Sequence, residues 1–217
     1  MVRPSRVVRV TIAPSGADRE ALLTAVASAH GTDPVAVRVG RCCQHCGSME
    51  HGRPWAIAAG RSVPVSLART PAREPGGVGR TAIAVVTGGV RTDAVGIDLE
   101  RVDRVAAAPL DVFTPTELAR LREDRDRAAA WAVKEAVLKR DGRGLRVDPA
   151  AVEVDLARGT ARFARRDHPV TVCWLAPDTV LAIAADGLRV AVDDRSGNGI
   201  DDGTGGRADD GVSGSAG

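Results

Sequence analysis

A short segment, VGIDLE at Val95–Glu100, constrains the fold of this chain more than any other. Apolar residues alternate in it with Gly96, Asp98 and Glu100, which is the period-two pattern of a β-strand. Because neighbouring side chains of a strand point to opposite faces, we expect the apolar set to face a core and both carboxylates to project from the other face. Two adjacent carboxylates repel each other, so a cation is expected beside them.

A second segment, WAVKEAVLK at Trp131–Lys139, has helical spacing and places Glu135 and Lys139 one turn apart on one face. A hard divalent ion with oxygen ligands would explain a cluster of Glu135 with Asp98 and Glu100. Lys139 would then face the anion that the metal holds. Taken alone, Asp98 and Glu100 could equally lie on a strand face exposed to solvent. Glu135 and Lys139 could equally form an ordinary ion pair on a helix surface. Trp131 is expected to pack the helix against a sheet.

Bulk composition excludes several classes of function. With 217 residues, the chain can form one domain or two small ones. The net charge of +2 and an aromatic content of 2% without tyrosine argue against nucleic-acid binding. No apolar run approaches the roughly 20 residues that span a bilayer. The N-terminal segment MVRPSRVVRV lacks the apolar block of a signal peptide, so a cytoplasmic location is predicted.

The cysteines cluster between two predicted strands. Cys43 and Cys46 form a C-x-x-C pair with His45 and His51 nearby, a set that can hold zinc, although a second such pair is missing. Reduced thiols in a loop are the alternative for Cys42, Cys43 and Cys46, and the sequence leaves the choice open.

The order of predicted elements is strand–helix–strands followed by strand–helices–strands, which indicates an α+β fold. Pro115 opens a short helix with Thr114 as its cap and Glu117 at the capping-box position. From residue 193 the sequence is rich in Gly, Asp and Ser, and this tail is predicted to be disordered. The predicted helices are Ala17–Ala29 and Arg125–Arg140, and the predicted strands are Arg6–Ile12, Val35–Val39, Trp55–Ala59, Val63–Ala68, Thr81–Thr87, Ala94–Glu100, Val152–Leu156, Thr160–Ala164, Val170–Leu175, Thr179–Ala185 and Leu188–Val192.

The motif V-G-I-D-L-E, followed by W-x-x-K-E-A-x-x-K and by G-x-G-L at Gly142–Leu145, resembles the 4'-phosphopantetheinyl transferase superfamily in its surfactin-type branch. Three further segments match in the same order: HGRP at His51–Pro54, VSLAR at Val65–Arg69 and FTPTE at Phe113–Glu117. The resemblance covers roughly residues 40 to 156.

The resemblance implies an architecture of two similar α/β halves related by pseudo-twofold symmetry. Residues 1–90 would form the half that binds coenzyme A and the carrier, residues 91–192 the half with the metal site, and residues 193–217 the disordered tail. The seam is predicted near Gly88–Thr92. Two fused halves would place the active site within one chain, so a monomer is expected.

The resemblance also implies roles for individual residues. Asp98, Glu100 and Glu135 would bind Mg²⁺ against the pyrophosphate of coenzyme A, and Glu135 or a metal-bound water would take the proton of the nucleophile. Lys139 would stabilise the phosphates or protonate the leaving group. Glu117 is either a helix cap or a carboxylate beside the metal.

Further cations are expected to bind coenzyme A. Lys134 would touch a phosphate from the side or be solvated, and Arg53 and Arg69 would be anion ligands. Members of the family present Ser-His where this chain has Ala68-Arg69, and an arginine would hold the 3'-phosphate with a charge that does not titrate near neutrality.

The predicted function is transfer of 4'-phosphopantetheine from coenzyme A to a serine of an apo acyl- or peptidyl-carrier protein, which yields holo-carrier protein and 3',5'-ADP. The pathway that the carrier serves is left open. Two alternatives are a metal-dependent phosphohydrolase or nuclease that uses the same carboxylates on water, and a zinc-stabilised nucleic-acid-binding module.

Overall fold

The computed structural model describes residues 6–88, 94–108 and 111–194. Most of the predicted seam at Gly88–Thr92 and all of the tail from residue 195 lie outside these ranges. Within them the chain forms three β-sheets and four α-helices. This mixed α+β architecture confirms the predicted class and is compatible with the fold of phosphopantetheinyl transferases.

The first sheet joins the two ends of the described chain. Its strand order is β12-β1-β6-β5, and β12 runs parallel to β1 while the other pairs are antiparallel. The predicted edge strand near the C-terminus is therefore confirmed, and it extends to Asp194, into the start of the predicted tail. The strands are β1 Val7–Pro14, β5 Val65–Thr70, β6 Arg80–Thr87 and β12 Arg189–Asp194.

The second and third sheets are antiparallel throughout. The second has the order β7-β11-β10-β9-β8 and the third the order β2-β3-β4. Their strands are β2 Val37–Cys42, β3 Arg53–Ala58, β4 Arg61–Val63, β7 Gly96–Arg101, β8 Glu153–Asp155, β9 Thr160–Phe163, β10 Arg166–Ala176 and β11 Thr179–Ala184.

Both long predicted helices form, and each ends at a glycine in the left-handed conformation, Gly31 or Gly142, which relieves the Cβ clash there. The short helix at Pro115 carries the predicted capping box. The helices are α1 Asp18–His30, α2 Val102–Ala107, α3 Pro115–Leu118 and α4 Asp124–Asp141. No helix within the described ranges is long and apolar enough to cross a membrane.

Strand β7 is covered on both faces, and this burial positions the site. Ile97 and Leu99 lie in a core shared with β1, β6 and β11, while Gly96 meets the backbone of α4 at Ala136. A side chain at Gly96 would collide with that backbone, so only glycine lets the helix cross here. Asp98 and Glu100 follow on the same face and therefore point toward α4.

A hydrogen bond links the first sheet to the second. The Ile97 amide donates to the Ser66 hydroxyl on β5 over 3.1 Å. The edge strands β5 and β7 thus lie side by side although they belong to different sheets. Trp131 is buried in the core between α4 and the second sheet, as the sequence predicted.

Candidate active site

A cavity of about 540 Å³ opens where β5, β7, α4 and the β2–β3 loop meet. Its lining combines three carboxylates with seven cationic side chains, so it carries a net positive charge suited to a polyanion. The carboxylates are Asp98, Glu100 and Glu135, and the cations are Arg41, Arg53, Arg69, Arg104, Lys139, Arg143 and Arg146.

Asp98 is the most buried charged group of the cavity, at 3% exposure. Its Oδ1 pairs with the Lys139 ammonium, whereas its Oδ2 is buried without a hydrogen-bond partner. Burial raises the pKa of Asp98 to about 7, an effect that Glu135 and Glu100 reinforce and Lys139 opposes. A buried carboxylate oxygen without a partner is costly, and such an atom beside further acids fits the coordination of a cation.

Lys139 lies between the acidic groups of the helix and the strand. Its ammonium is 3.1 Å from Glu135 Oε2 as well as paired with Asp98. Burial lowers the pKa of Lys139, but the carboxylates of Asp98 and Glu135 outweigh it and the net shift is upward. Arg104 lies 3.6 Å from Glu100, whose pKa is raised chiefly by burial.

The donor set fits a hard divalent cation. All three candidate ligands offer carboxylate oxygens, as Mg²⁺ prefers, and Asp98 Oδ2 has its coordination capacity free. The carboxylates do not converge as closely as ligands around an ion do: among the described residues only a cysteine–histidine group brings its ligand atoms within 4.8 Å of one another. The Lys139 ammonium holds the central position between Asp98 and Glu135, so a metal ion would need it to swing aside.

On the opposite wall, two arginines share one acid that the sequence did not single out. Asp18, at the start of α1, lies 2.9 Å from Arg69 and 3.5 Å from Arg41, and accepts a hydrogen bond from Thr81 over 3.0 Å. Burial and then the nearby Arg69 charge lower the pKa of Arg41. Two guanidinium groups held by one carboxylate leave a net positive charge for an anion.

The predicted G-x-G segment has a steric role in this wall. A Cβ at Gly142, whose φ is +93°, would lie 2.7 Å from Arg53 Nη1. The loop after α4 therefore approaches Arg53 closely, and it adds Arg143 and Arg146 to the lining. Arg104, Arg143 and Arg146 were not predicted, because an arginine on a loop or short helix has no sequence signal that distinguishes it from a solvated one.

The prediction that Lys134 binds the cofactor or is solvated is wrong. Lys134 is fully buried on the other side of α4, 2.9 Å from Glu117 Oε1, and donates to the Pro149 carbonyl over 3.2 Å. Burial lowers its pKa, and Glu117 partly compensates. Glu117 itself caps α3 and accepts from the Val154 amide over 2.9 Å, so its second predicted role, beside the metal, is also wrong.

The cysteine-rich loop between β2 and β3 forms part of the cavity rim through Cys42 and Cys43. Cys46 Sγ lies 3.4 Å from His51 Nε2. Backbone amides of Cys46 and His45 are the largest of the causes that lower the pKa of Cys43 to about 6. Within the described part of the chain, Cys42, Cys43 and Cys46 form no disulfide bond.

The acidic strand β7 and the helix α4 both lie in a part of the chain that matches a known protein superfamily. Residues 94–186 match the model of the 4'-phosphopantetheinyl transferase superfamily. The matched segment runs from β7 to the end of β11 and carries Asp98, Glu135 and Lys139. The match supports phosphopantetheinyl transfer as the general chemistry; proteins of this superfamily use coenzyme A as co-substrate and act on carrier proteins. A search of curated proteins finds none that matches this chain.

Proposed function

We propose that this protein transfers the 4'-phosphopantetheine group of coenzyme A to the hydroxyl of a serine on an apo acyl- or peptidyl-carrier protein, as a Mg²⁺-dependent enzyme of the surfactin-type branch. The observation that carries the proposal is the grouping of Asp98, Glu100, Glu135 and Lys139 around a cavity lined by six arginines. A cavity of about 540 Å³ suits one bound cofactor of this size class.

In this proposal Asp98, Glu100 and Glu135 would hold Mg²⁺ beside the pyrophosphate. When bound, the ion would supply positive charge to neutralise the charge that builds on the bridging oxygen as the phosphoanhydride breaks. The serine oxygen forms a bond to the β-phosphorus, and 3',5'-ADP leaves with the electron pair of the bridging bond.

Two side chains of this protein are proposed to assist the transfer, one as a base and one as a cation. Glu135 accepts the serine proton, because it is a carboxylate of the cavity and is not locked in the buried position of Asp98. Lys139 would stabilise the negative charge that develops on the phosphates and the leaving group. Both residues stand on α4, one turn apart, so their separation is fixed by the helix.

The remaining cations are proposed to bind the nucleotide. Arg69 and Arg41, oriented by Asp18, would hold the 3'-phosphate, and Arg53 would bind the pyrophosphate from the loop side. The active species is proposed to be a monomer.

The decisive experiment is intact mass spectrometry of an apo-carrier protein after incubation with this protein, coenzyme A and Mg²⁺. We expect addition of one phosphopantetheine, which is lost with EDTA and in Asp98→Asn and Glu135→Gln variants. Glu153→Gln is the matched control, because Glu153 is a half-exposed carboxylate on β8 outside the cavity. Its activity should equal that of the wild type.

The same reaction separates the proposal from a phosphohydrolase. A hydrolase would release 3',5'-ADP from coenzyme A without a carrier, whereas a transferase releases it only together with modification of the carrier. Failure to bind coenzyme A at all would refute the transferase proposal.

A further inference from the structure

Cys43, Cys46 and His51 form a second cluster of metal-ligand side chains, in the β2–β3 loop. One ligand atom from each lies within 4.8 Å of the others. We propose that these three residues bind a zinc ion at a site separate from the carboxylates of the cavity. The proposal does not depend on the transferase function.

The spacing of the ligand atoms suits zinc. With Zn–S near 2.3 Å and Zn–N near 2.05 Å, tetrahedral geometry requires about 3.6 Å between a sulfur and a nitrogen ligand. Cys46 Sγ and His51 Nε2 are 3.4 Å apart. Two thiolates and one imidazole are soft and borderline donors, which select zinc over the hard Mg²⁺ of an oxygen site. The three protein ligands leave one position for a water molecule.

The loop is built to bring these residues together. The Gly47 amide donates to the Cys43 carbonyl over 2.9 Å, and the Cys43 amide donates to the Ser48 carbonyl over 2.9 Å. Gly47 follows Cys46 directly and has a φ of +72°, so the chain turns back at the second thiol.

A second glycine serves the histidine in the same way. Gly52 follows His51 with a φ of +102°, and a Cβ there would lie 2.5 Å from Cys43 Cα. Only glycine lets the segment after His51 pass so close to the first cysteine. Cys46 and His51 are therefore each followed by a glycine whose backbone conformation closes the loop.

The position of the loop gives the ion a structural consequence. Strands β2 and β3 pair Cys42 with Arg53 and Arg41 with Pro54 on either side of it. The loop thus connects two arginines of the cavity, and a zinc ion would fix the connection between them. Loss of the ion is expected to increase amide hydrogen exchange in residues 43–52.

The test is the metal content of the full-length protein purified under reducing conditions. We expect about one zinc per chain by mass spectrometry, and on replacement with Co²⁺ a thiolate-to-cobalt charge-transfer band of a site with two thiolates. Cys43→Ser, Cys46→Ser and His51→Ala should each reduce zinc occupancy at least about fivefold. Cys42→Ser and His45→Ala are the matched controls, since each removes a neighbouring ligand type outside the trio.

Three results would overturn the proposal. The first is wild-type protein that binds neither zinc nor cobalt. The second is loss of zinc in Cys42→Ser or His45→Ala with retention in the trio variants. The third is loss of zinc in Asp98→Asn, which would place the ion in the cavity. The wild-type measurement alone keeps the proposal testable if a loop variant fails to fold, and none of these results bears on carrier modification.

Discussion

Burial disfavours the ionised form of Asp98, whereas the neighbouring Lys139 favours it. A bound cation would favour the ionised form further. The carboxylate is almost inaccessible to water, keeps one oxygen without a partner and has a pKa of about 7. Lys139 offsets part of the cost by pairing with the other oxygen. A metal-free protein with such a buried carboxylate is less stable to unfolding than one with a neutral side chain at the same position. Metal binding to the carboxylate offsets this difference.

The first prediction is that Asp98→Asn stabilises the metal-free protein while abolishing transfer. The raised pKa means that protonated Asp98 favours folding below about pH 4, and this contribution is lost as the pH rises through about 7. Asparagine imitates the protonated form at every pH. The variant should therefore be more stable by about 1–2 kcal/mol at pH 8 and equal to the wild type near pH 4.

Thermal unfolding in EDTA at both pH values measures this difference. Carrier modification with Mg²⁺ should fall at least about 100-fold in the same variant. A lower melting temperature than wild type at pH 8 would contradict the argument, because it would mean that the ionised carboxylate stabilises the empty protein.

The second prediction concerns Arg69 and the 3'-phosphate. Arg69→His should bind coenzyme A about as well as wild type at pH 6 and about 10-fold more weakly at pH 8, because histidine loses its proton in this range and arginine does not. Dividing the dissociation constant of the variant by that of the wild type at the same pH cancels the titration of the other cavity groups. With dephospho-coenzyme A as ligand the ratio should stay constant; a ratio that still changes would place Arg69 away from the 3'-phosphate.

Among the elements, β7 and α4 could be predicted to within two residues because each has a strong periodicity. The six-residue α2 is too short for such a pattern and was missed. The predicted strand Val63–Ala68 is two strands, since Pro64 between them has no amide to donate to a ladder. The alternation of apolar and acidic residues also predicted which side chains of β7 face the core.

The sequence could not predict which residues each face of α4 contacts. Lys134 and Glu135 are neighbours on α4, yet one is buried against Glu117 and the other lines the cavity. Their angular separation follows from the helix, but the surroundings on each side depend on tertiary packing. Asp18 and Arg69 are about fifty residues apart, so their ion pair has no local signature either.

The third prediction tests the crossing of β7 and α4. Gly96→Ala should lower the free energy of unfolding by about 1–3 kcal/mol, because its methyl group would overlap the Ala136 carbonyl and the Arg140 amide. Gly31→Asn is the control: the position has a φ of +58°, which asparagine tolerates, and open space around it. Urea unfolding of both variants measures the contrast, and equal costs would contradict a specific close contact.

The fourth prediction tests the buried pair between α3 and α4. Lys134→Met leaves the Glu117 charge uncompensated and should cost about 3–5 kcal/mol, whereas Lys134→Met combined with Glu117→Gln should recover most of that loss. The affinity for coenzyme A should change less than about twofold in the folded double variant, since neither side chain lines the cavity. A large loss of affinity would restore Lys134 as a cofactor ligand.

At the scale of the whole molecule, the two predicted halves share one core. Val8 and Val10 of β1 lie in the same apolar cluster as Ile97 of β7 and Ile183 of β11. Strand β12, at the end of the second half, pairs with β1 at the start of the first. The pseudo-twofold symmetry and the boundary near residue 90 stay predictions. Because the cluster contains residues of both halves, we expect the folding of each half to depend on the other.

The fifth prediction follows from that coupling. Residues 94–186, the segment that matches the family model, should not form a stable monomer when expressed alone, because Ile97, Leu99 and Ile183 would lose the cover of the first sheet. At about 25 cal/mol per Å², exposing several such side chains exceeds the net stability of a domain of this size. We expect aggregation or self-association of the fragment by light scattering, and a single cooperative urea transition for the full chain. A monomeric fragment with its own cooperative transition would show instead that the second half carries an independent core, and the cluster between the sheets would then be an interface between two domains.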